Sequence, residues 1–185
     1  MANSIIVVGR TGSGKTHYLR ETILPKQKNY IIFDLYGNEY TDLNLPDINK
    51  ISDYKGGKCR LVLNKNLFDN TVDFVDTFWS DLSKLNNTTF IMEDATIFLP
   101  AQQDKRVMQL LIEKRHPNMS YVWLFHSVAQ IPPYIYRGSN AIRLGKTNDL
   151  EKNVIQKFEG NEKLLKAFLE VKRSSNQYEN RFIKL

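Results

Sequence analysis

The residues best suited to chemistry come first in the chain: Gly9-Arg10-Thr11-Gly12-Ser13-Gly14-Lys15-Thr16. Glycines at 9, 12 and 14 let the backbone wrap closely, so that successive N–H groups can point at phosphate oxygens. The helix expected to open there adds the positive end of its dipole. In this spacing Lys15 reaches the β- and γ-phosphates of a nucleoside triphosphate, and the Thr16 hydroxyl ligates Mg²⁺. A chance glycine-rich turn would lack the flanking pattern. Here an apolar run, Ile5-Ile6-Val7-Val8, precedes the loop and a helical pattern follows it, as the mechanism demands.

A phosphate cradle does not hydrolyse anything alone. Hydrolysis also needs a carboxylate near the metal and a group that orients the attacking water. The segment Thr89-Phe90-Ile91-Met92-Glu93-Asp94 puts two acids at the end of a buried strand, where ligands sit in open α/β sheets. Glu93 is expected to hold the metal together with Thr16, and Asp94 to polarise the water. Neighbouring side chains on a strand face opposite ways, so both acids serve one site only if the strand ends between them. Their division of labour therefore stays open.

The elements that must position these groups follow from apolar periodicity. Strand-length apolar runs at 5–8, 30–34, 60–63, 90–92, 121–125 and 141–144 alternate with helical patterns. The helices are expected over 16–24 (ended by Pro25), 69–85, 102–115, 149–158 and 162–171, and residues 178–185 alternate like an edge strand. Residues 35–58 are polar, contain Pro46 and Gly56-Gly57, and read as a long excursion. The pattern predicts an α/β fold with a mostly parallel central sheet flanked by helices, in a single P-loop domain over 1–185. Its nucleotide-binding core would occupy 1–150, with C-terminal helices and an edge strand over 151–185.

Composition sets outer limits. The chain has 185 residues, 42% hydrophobic and 25% charged, close to the globular average. No apolar run approaches a membrane span, and the N-terminus lacks the basic start of a signal peptide. A single cysteine, Cys59, excludes an internal disulfide framework and fits a reducing, cytoplasmic setting. The net charge of +6 favours an anionic partner such as nucleic acid, although the basic residues are spread along the chain. His17, His116 and His126 lack metal-ligand spacing, and no zinc site is expected.

Three further segments resemble the HerA–FtsK group of P-loop motor ATPases, a RecA/ASCE-like class that includes DNA translocases and viral genome-packaging ATPases. Ile31-Ile32-Phe33-Asp34-Leu35-Tyr36-Gly37-Asn38-Glu39-Tyr40 is similar to that group's second strand and the turn after it. Glu93-Asp94-Ala95-Thr96-Ile97-Phe98-Leu99-Pro100 resembles its acidic segment, with the two acids in inverted order. Phe125-His126-Ser127-Val128-Ala129-Gln130 resembles the strand end that carries a phosphate sensor, with His126 in place of the usual Gln. Within the same third segment, which runs from Tyr121 to Asp149, Asn140 to Asp149 is similar to the strand and Asn-Asp turn that follow.

The resemblance implies ATP as substrate, duplex DNA as partner, and a ring of identical subunits, for a viral member in the host cytoplasm and at a capsid portal or vertex. It also implies an arginine supplied to the neighbour's nucleotide, for which Arg115 is the first candidate, then Arg137 and Arg106. Two other classes remain open at this stage: a small nucleotide or nucleoside kinase, and a nucleotide-gated assembly protein with little turnover.

Overall fold

The computed structural model describes residues 3–34, 37–62, 71–97, 99, 105–113, 118–158 and 161–185. Among the described residues eight strands form one sheet: β1 (Ser4–Val8), β2 (Tyr30–Phe33), β3 (Asp47–Ile48), β4 (Lys58–Leu61), β5 (Thr89–Met92), β6 (Ser120–Phe125), β7 (Ala141–Gly145) and β8 (Asn180–Lys184). Their order is β3-β4-β2-β5-β6-β1-β7-β8. All neighbours run parallel except β8, which closes the β7 edge in antiparallel register, Arg143 opposite Phe182. The α-helices among the described residues are α1 (Lys15–Tyr18), α2 (Thr71–Ser83), α3 (Lys105–Glu113), α4 (Pro133–Gly138), α5 (Glu151–Lys157) and α6 (Glu162–Arg173).

The inner strands are mostly apolar because both faces of the sheet are covered. Alternate residues serve different layers. Ile6, Val8, Ile31, Phe33, Phe90 and Met92 pack with Phe78, Trp79, Leu110, Ile135 and Phe168 from the helices of one face. Val7, Ile32, Ile91, Val122 and Leu124 pack on the other face with Leu19, Ile23 and Leu24, which follow α1. Period two in the strands and the turn of the helix thus meet in two apolar layers.

Several boundaries differ from the sequence expectation. The third strand begins at Lys58, not 60, and the excursion before it contributes β3, two residues held by Arg60 N–H on the Pro46 carbonyl (3.0 Å) and Val62 N–H on the Ile48 carbonyl (3.0 Å). So short a strand has no periodicity to detect. Pro25 does not end the first helix. α1 widens into a π-turn over Leu19–Ile23 and tightens into a 3₁₀ turn over Leu24–Lys26. Pro25 sits in the opening of that last turn, where its missing N–H costs no bond. α4, which the sequence pattern does not anticipate, begins at a Pro-Pro pair, and proline suits the first helical turn.

Candidate nucleotide-binding and catalytic site

The glycine-rich loop leaves β1 between the ends of β6 and β7. Gly9 N–H donates to the Phe125 carbonyl (3.0 Å), and Arg10 N–H to the Lys146 carbonyl (2.6 Å). Gly12 and Gly14 have φ of 77° and 82°, a left-handed backbone that favours glycine. At Gly9 the constraint is space: a Cβ there would come 2.3 Å from Ser13 Oγ. Lys15, only 8% exposed, donates from Nζ to the Gly9 carbonyl (2.7 Å) and the Arg10 carbonyl (3.3 Å). Burial lowers its pKa, and the negative charges of Glu93, Asp94 and Glu39 oppose that fall.

The loop forms one wall of a cleft of about 530 Å³ lined by Thr11, Gly12, Gly14, Lys15, Thr16 and His17, with Asp34, Glu39, Glu93, Asp94, His126 and Tyr178 around it. Glu93 and Asp94 reach it together. β5 ends at Met92, before both acids rather than between them, and Asp94 turns through φ 45°. This left-handed residue breaks the strand alternation, so that adjacent side chains line the same cavity.

Each acid has a different environment. Tyr40, fully buried, donates its phenolic hydrogen to Glu93 Oε1, and the nearby Thr16 hydroxyl acts to lower the pKa of the same phenol. A tyrosine therefore stands between the loop's threonine and the first acid. Burial pushes the Glu93 carboxyl up to about 7, reinforced by Asp94 and Glu39 and opposed by the Tyr40 bond and Lys15. Asp94 Oδ1 lies 2.5 Å from His126 Nε2, and His126 Nδ1 lies 3.3 Å from Lys15 Nζ. A neutral ring protonated at Nε2 satisfies both contacts, donating to Asp94 and accepting from Lys15. The His126 side chain is 41% exposed: it is a cleft residue, not a core histidine.

β6 supplies His126 from between β1 and β5, which explains how loop and acids, distant in sequence, converge on one inserted strand. The expected Lys15, Thr16, Glu93, Asp94 and His126 are all brought together. Arg115 lies outside the described residues, as does the side chain of Arg106; Arg137 is exposed on α4. Arg60, one of the scattered basic residues, is internal: its Nε and Nη2 donate to Asp47 (2.8 and 2.9 Å), and Nη1 lies 3.6 Å from Asp34.

Four residues in the site were not assigned a role from sequence. Asp34, 1% exposed, ends β2 as Glu93 ends β5; it accepts from the N–H groups of Gly37 (2.9 Å) and Glu39 (3.0 Å) and so shapes the turn that delivers Tyr40. An acid ending a buried strand was its legible signal. Asp149 accepts from Ser127 Oγ (2.5 Å), Val128 N–H (2.7 Å) and Ala129 N–H (3.2 Å), fixing the turn after His126. Tyr178 enters the cleft from the loop before β8. Neither of these last two, nor Tyr40, carried a signal in spacing alone.

The donor set fits magnesium. Thr16 and Glu93 offer a hydroxyl and a carboxylate in one cleft, with Asp94 beside them. Mg²⁺ is usually held by one or two carboxylates, substrate phosphate oxygens and water rather than by a full protein cage. The described residues contain no group of three or more His, Cys, Asp and Glu placed to cage a metal. No helix among the described residues is long and apolar enough to cross a membrane.

Sheet order, glycine-rich loop and strand-end acids define a P-loop NTPase fold with one strand inserted between the loop strand and the acidic strand. The fold is shared with the genome packaging NTPase B204 of Sulfolobus turreted icosahedral virus 2. Its complex with AMP matches at 19% identity and a TM-score of 0.77, over 99% of this chain and 92% of that one. Its complex with ATP-gammaS matches at 20% identity and a TM-score of 0.76, over 99% and 92%. B204 of Sulfolobus turreted icosahedral virus, described as a DNA-packaging ATPase, matches at 18% identity and a TM-score of 0.73, over 98% and 92%. No curated protein matches the chain. Residues 2–184 match the Poxvirus A32 protein family, and the chain belongs to that family.

Proposed function

We propose that this chain is a viral genome-packaging ATPase of the HerA–FtsK type, which hydrolyses ATP with magnesium to move duplex DNA and works as a ring of identical subunits. The observation that carries the reading is the convergence of Lys15, Glu93, Asp94 and His126 on one cleft beside the glycine-rich loop. Membership of the Poxvirus A32 protein family and the fold shared with packaging NTPases support it.

In this reading the N–H groups of the loop and Lys15 Nζ hold the β- and γ-phosphates. Thr16 and Glu93 hold the metal, which when bound would neutralise charge developing on the transferred phosphoryl group. Asp94 orients the attacking water and accepts its proton, and the His126 ring aligns Asp94 through Nε2. Lys15 and His126 are already within 3.3 Å, so one imidazole contacts both the phosphate-binding lysine and the acid that handles water. A neutral ring is needed for that double role, and protonation of Nδ1 would set it against the lysine. A neighbouring subunit supplies the arginine, with Arg115 first, Arg137 second and Arg106 third.

The test is paired. Lys15→Ala is expected to abolish ATP hydrolysis by removing the phosphate-binding cation. Asp94→Asn should keep nucleotide binding and lose turnover by at least about a hundredfold, the order of a general-base contribution. Undiminished hydrolysis by Lys15→Ala would refute the site.

A further inference from the structure

The cleft has two ends, and only one is occupied by acids. Across the sheet the order is β5, β6, β1, β7, β8. Glu93 and Asp94 follow β5, His126 follows β6, and the glycine-rich loop follows β1. On the far side of the loop, at the approach to β8, stands Tyr178. A triphosphate whose terminal phosphate faces the acids must extend its nucleoside away from them, toward that side.

Tyr178 is built as a platform there. It is 56% exposed, and its ring stands beside the loop: Cδ1 lies 3.6 Å from the position a Cβ would take at Gly14. A hydrogen-bonded turn holds its backbone. Tyr178 N–H donates to Asn176 Oδ1 (2.9 Å), Asn180 Nδ2 donates to the Tyr178 carbonyl (3.0 Å), and Glu179 N–H donates to the Asn176 carbonyl (3.2 Å). A large aromatic left half in solvent, on a fixed turn, lining the same cleft as Lys15 and Thr16, has no core role. His17, exposed on the first turn of α1, lines the cleft beside it.

From this placement the geometry points to Tyr178 as the stacking platform for the base of the bound nucleotide, which makes the C-terminal strand part of the nucleotide site. The inference rests on the nucleotide-binding reading above and adds the residue that distinguishes a nucleotide from a bare polyphosphate. A π-face stacks on a base without reading its edge, so Tyr178 contributes affinity for nucleosides over triphosphate more than choice among bases.

The experiment compares ATP with inorganic tripolyphosphate on the full chain and on Tyr178→Ala, Tyr178→Phe and Tyr178→Trp, with dissociation constants measured in magnesium. Tyr178→Ala should weaken ATP about tenfold, equivalent to about 1.4 kcal/mol, and raise KM with little change in kcat. Its tripolyphosphate affinity should stay unchanged, and Tyr178→Phe should behave as the parent. In Tyr178→Trp the introduced indole should change fluorescence with ATP and not with tripolyphosphate, against the constant background of buried Trp79 and Trp123. Equal losses for both ligands in Tyr178→Ala would show that the ring only buttresses the loop and would overturn the proposal, as would unchanged ATP affinity. If the parent binds tripolyphosphate and ATP equally, the base-stacking role fails while the phosphate site stands. If it binds neither, the nucleotide reading itself fails and takes this inference with it.

Discussion

Glu93 is the residue where cost and purpose are most visible. Its carboxyl is buried beside Asp94 and Glu39, which makes ionisation unfavourable, and its pKa rises from 4.5 to about 7. Between those values the folded chain binds more protons than the unfolded one. Stability from this group is therefore fully present below pH 4.5 and is lost as pH rises through 7. The gap corresponds to up to about 3 kcal/mol. Glu93→Gln, which keeps an oxygen to accept from Tyr40, is expected to be more stable than the parent at pH 8 and equal to it near pH 4. Urea denaturation without metal or nucleotide measures this; no difference at pH 8 would mean that Glu93 is not electrostatically strained. The acids themselves were readable because a buried strand ends in them. Tyr40 was not, since it lies far along the chain from its partner and only the turn shaped by Asp34 brings them together.

At the scale of elements, the segment after β7 joins parts that the sequence separates. The Lys146 carbonyl takes the Arg10 N–H, the Asp149 carboxylate takes the turn after His126, and Lys172 from α6 donates to the Asp149 carbonyl (3.3 Å). Asp149→Ala would leave the Val128 N–H and Ser127 hydroxyl without their buried acceptor, and a loss of roughly 2–3 kcal/mol is expected. Because the turn positions His126, kcat should fall several-fold more than ATP affinity. A change in stability alone would reduce Asp149 to a structural cap. The inner strands, α2 and α6 were legible because their apolar spacing is long and regular. β3 and α4 were not: the first has two residues, and the second opens on Pro-Pro. That both acids serve one cleft also became intelligible only here, since the left-handed Asp94 breaks the strand alternation.

At the scale of the whole molecule, the described residues build a single sheet in which an inner strand, β1, carries the phosphate loop and the edge strand β8 returns the chain to the cleft through Tyr178. In the proposed ring, each cleft needs an arginine from the next copy, so hydrolysis depends on assembly. Mixing Arg115→Ala with Lys15→Ala subunits should restore part of the activity, because hybrid interfaces pair an intact loop with an intact arginine. No recovery in rings shown to be mixed would remove Arg115 from that role. Positive charge spread over the chain, +6 in total, suits contacts to DNA phosphates, whose affinity should fall steeply with salt. The most direct test of the central claim is ATP hydrolysis over a wide range of protein concentration, with and without long duplex DNA. A DNA-packaging motor with shared sites predicts turnover per subunit that rises with concentration and rises again with DNA. Turnover indifferent to both would contradict the motor and leave a P-loop enzyme that works alone.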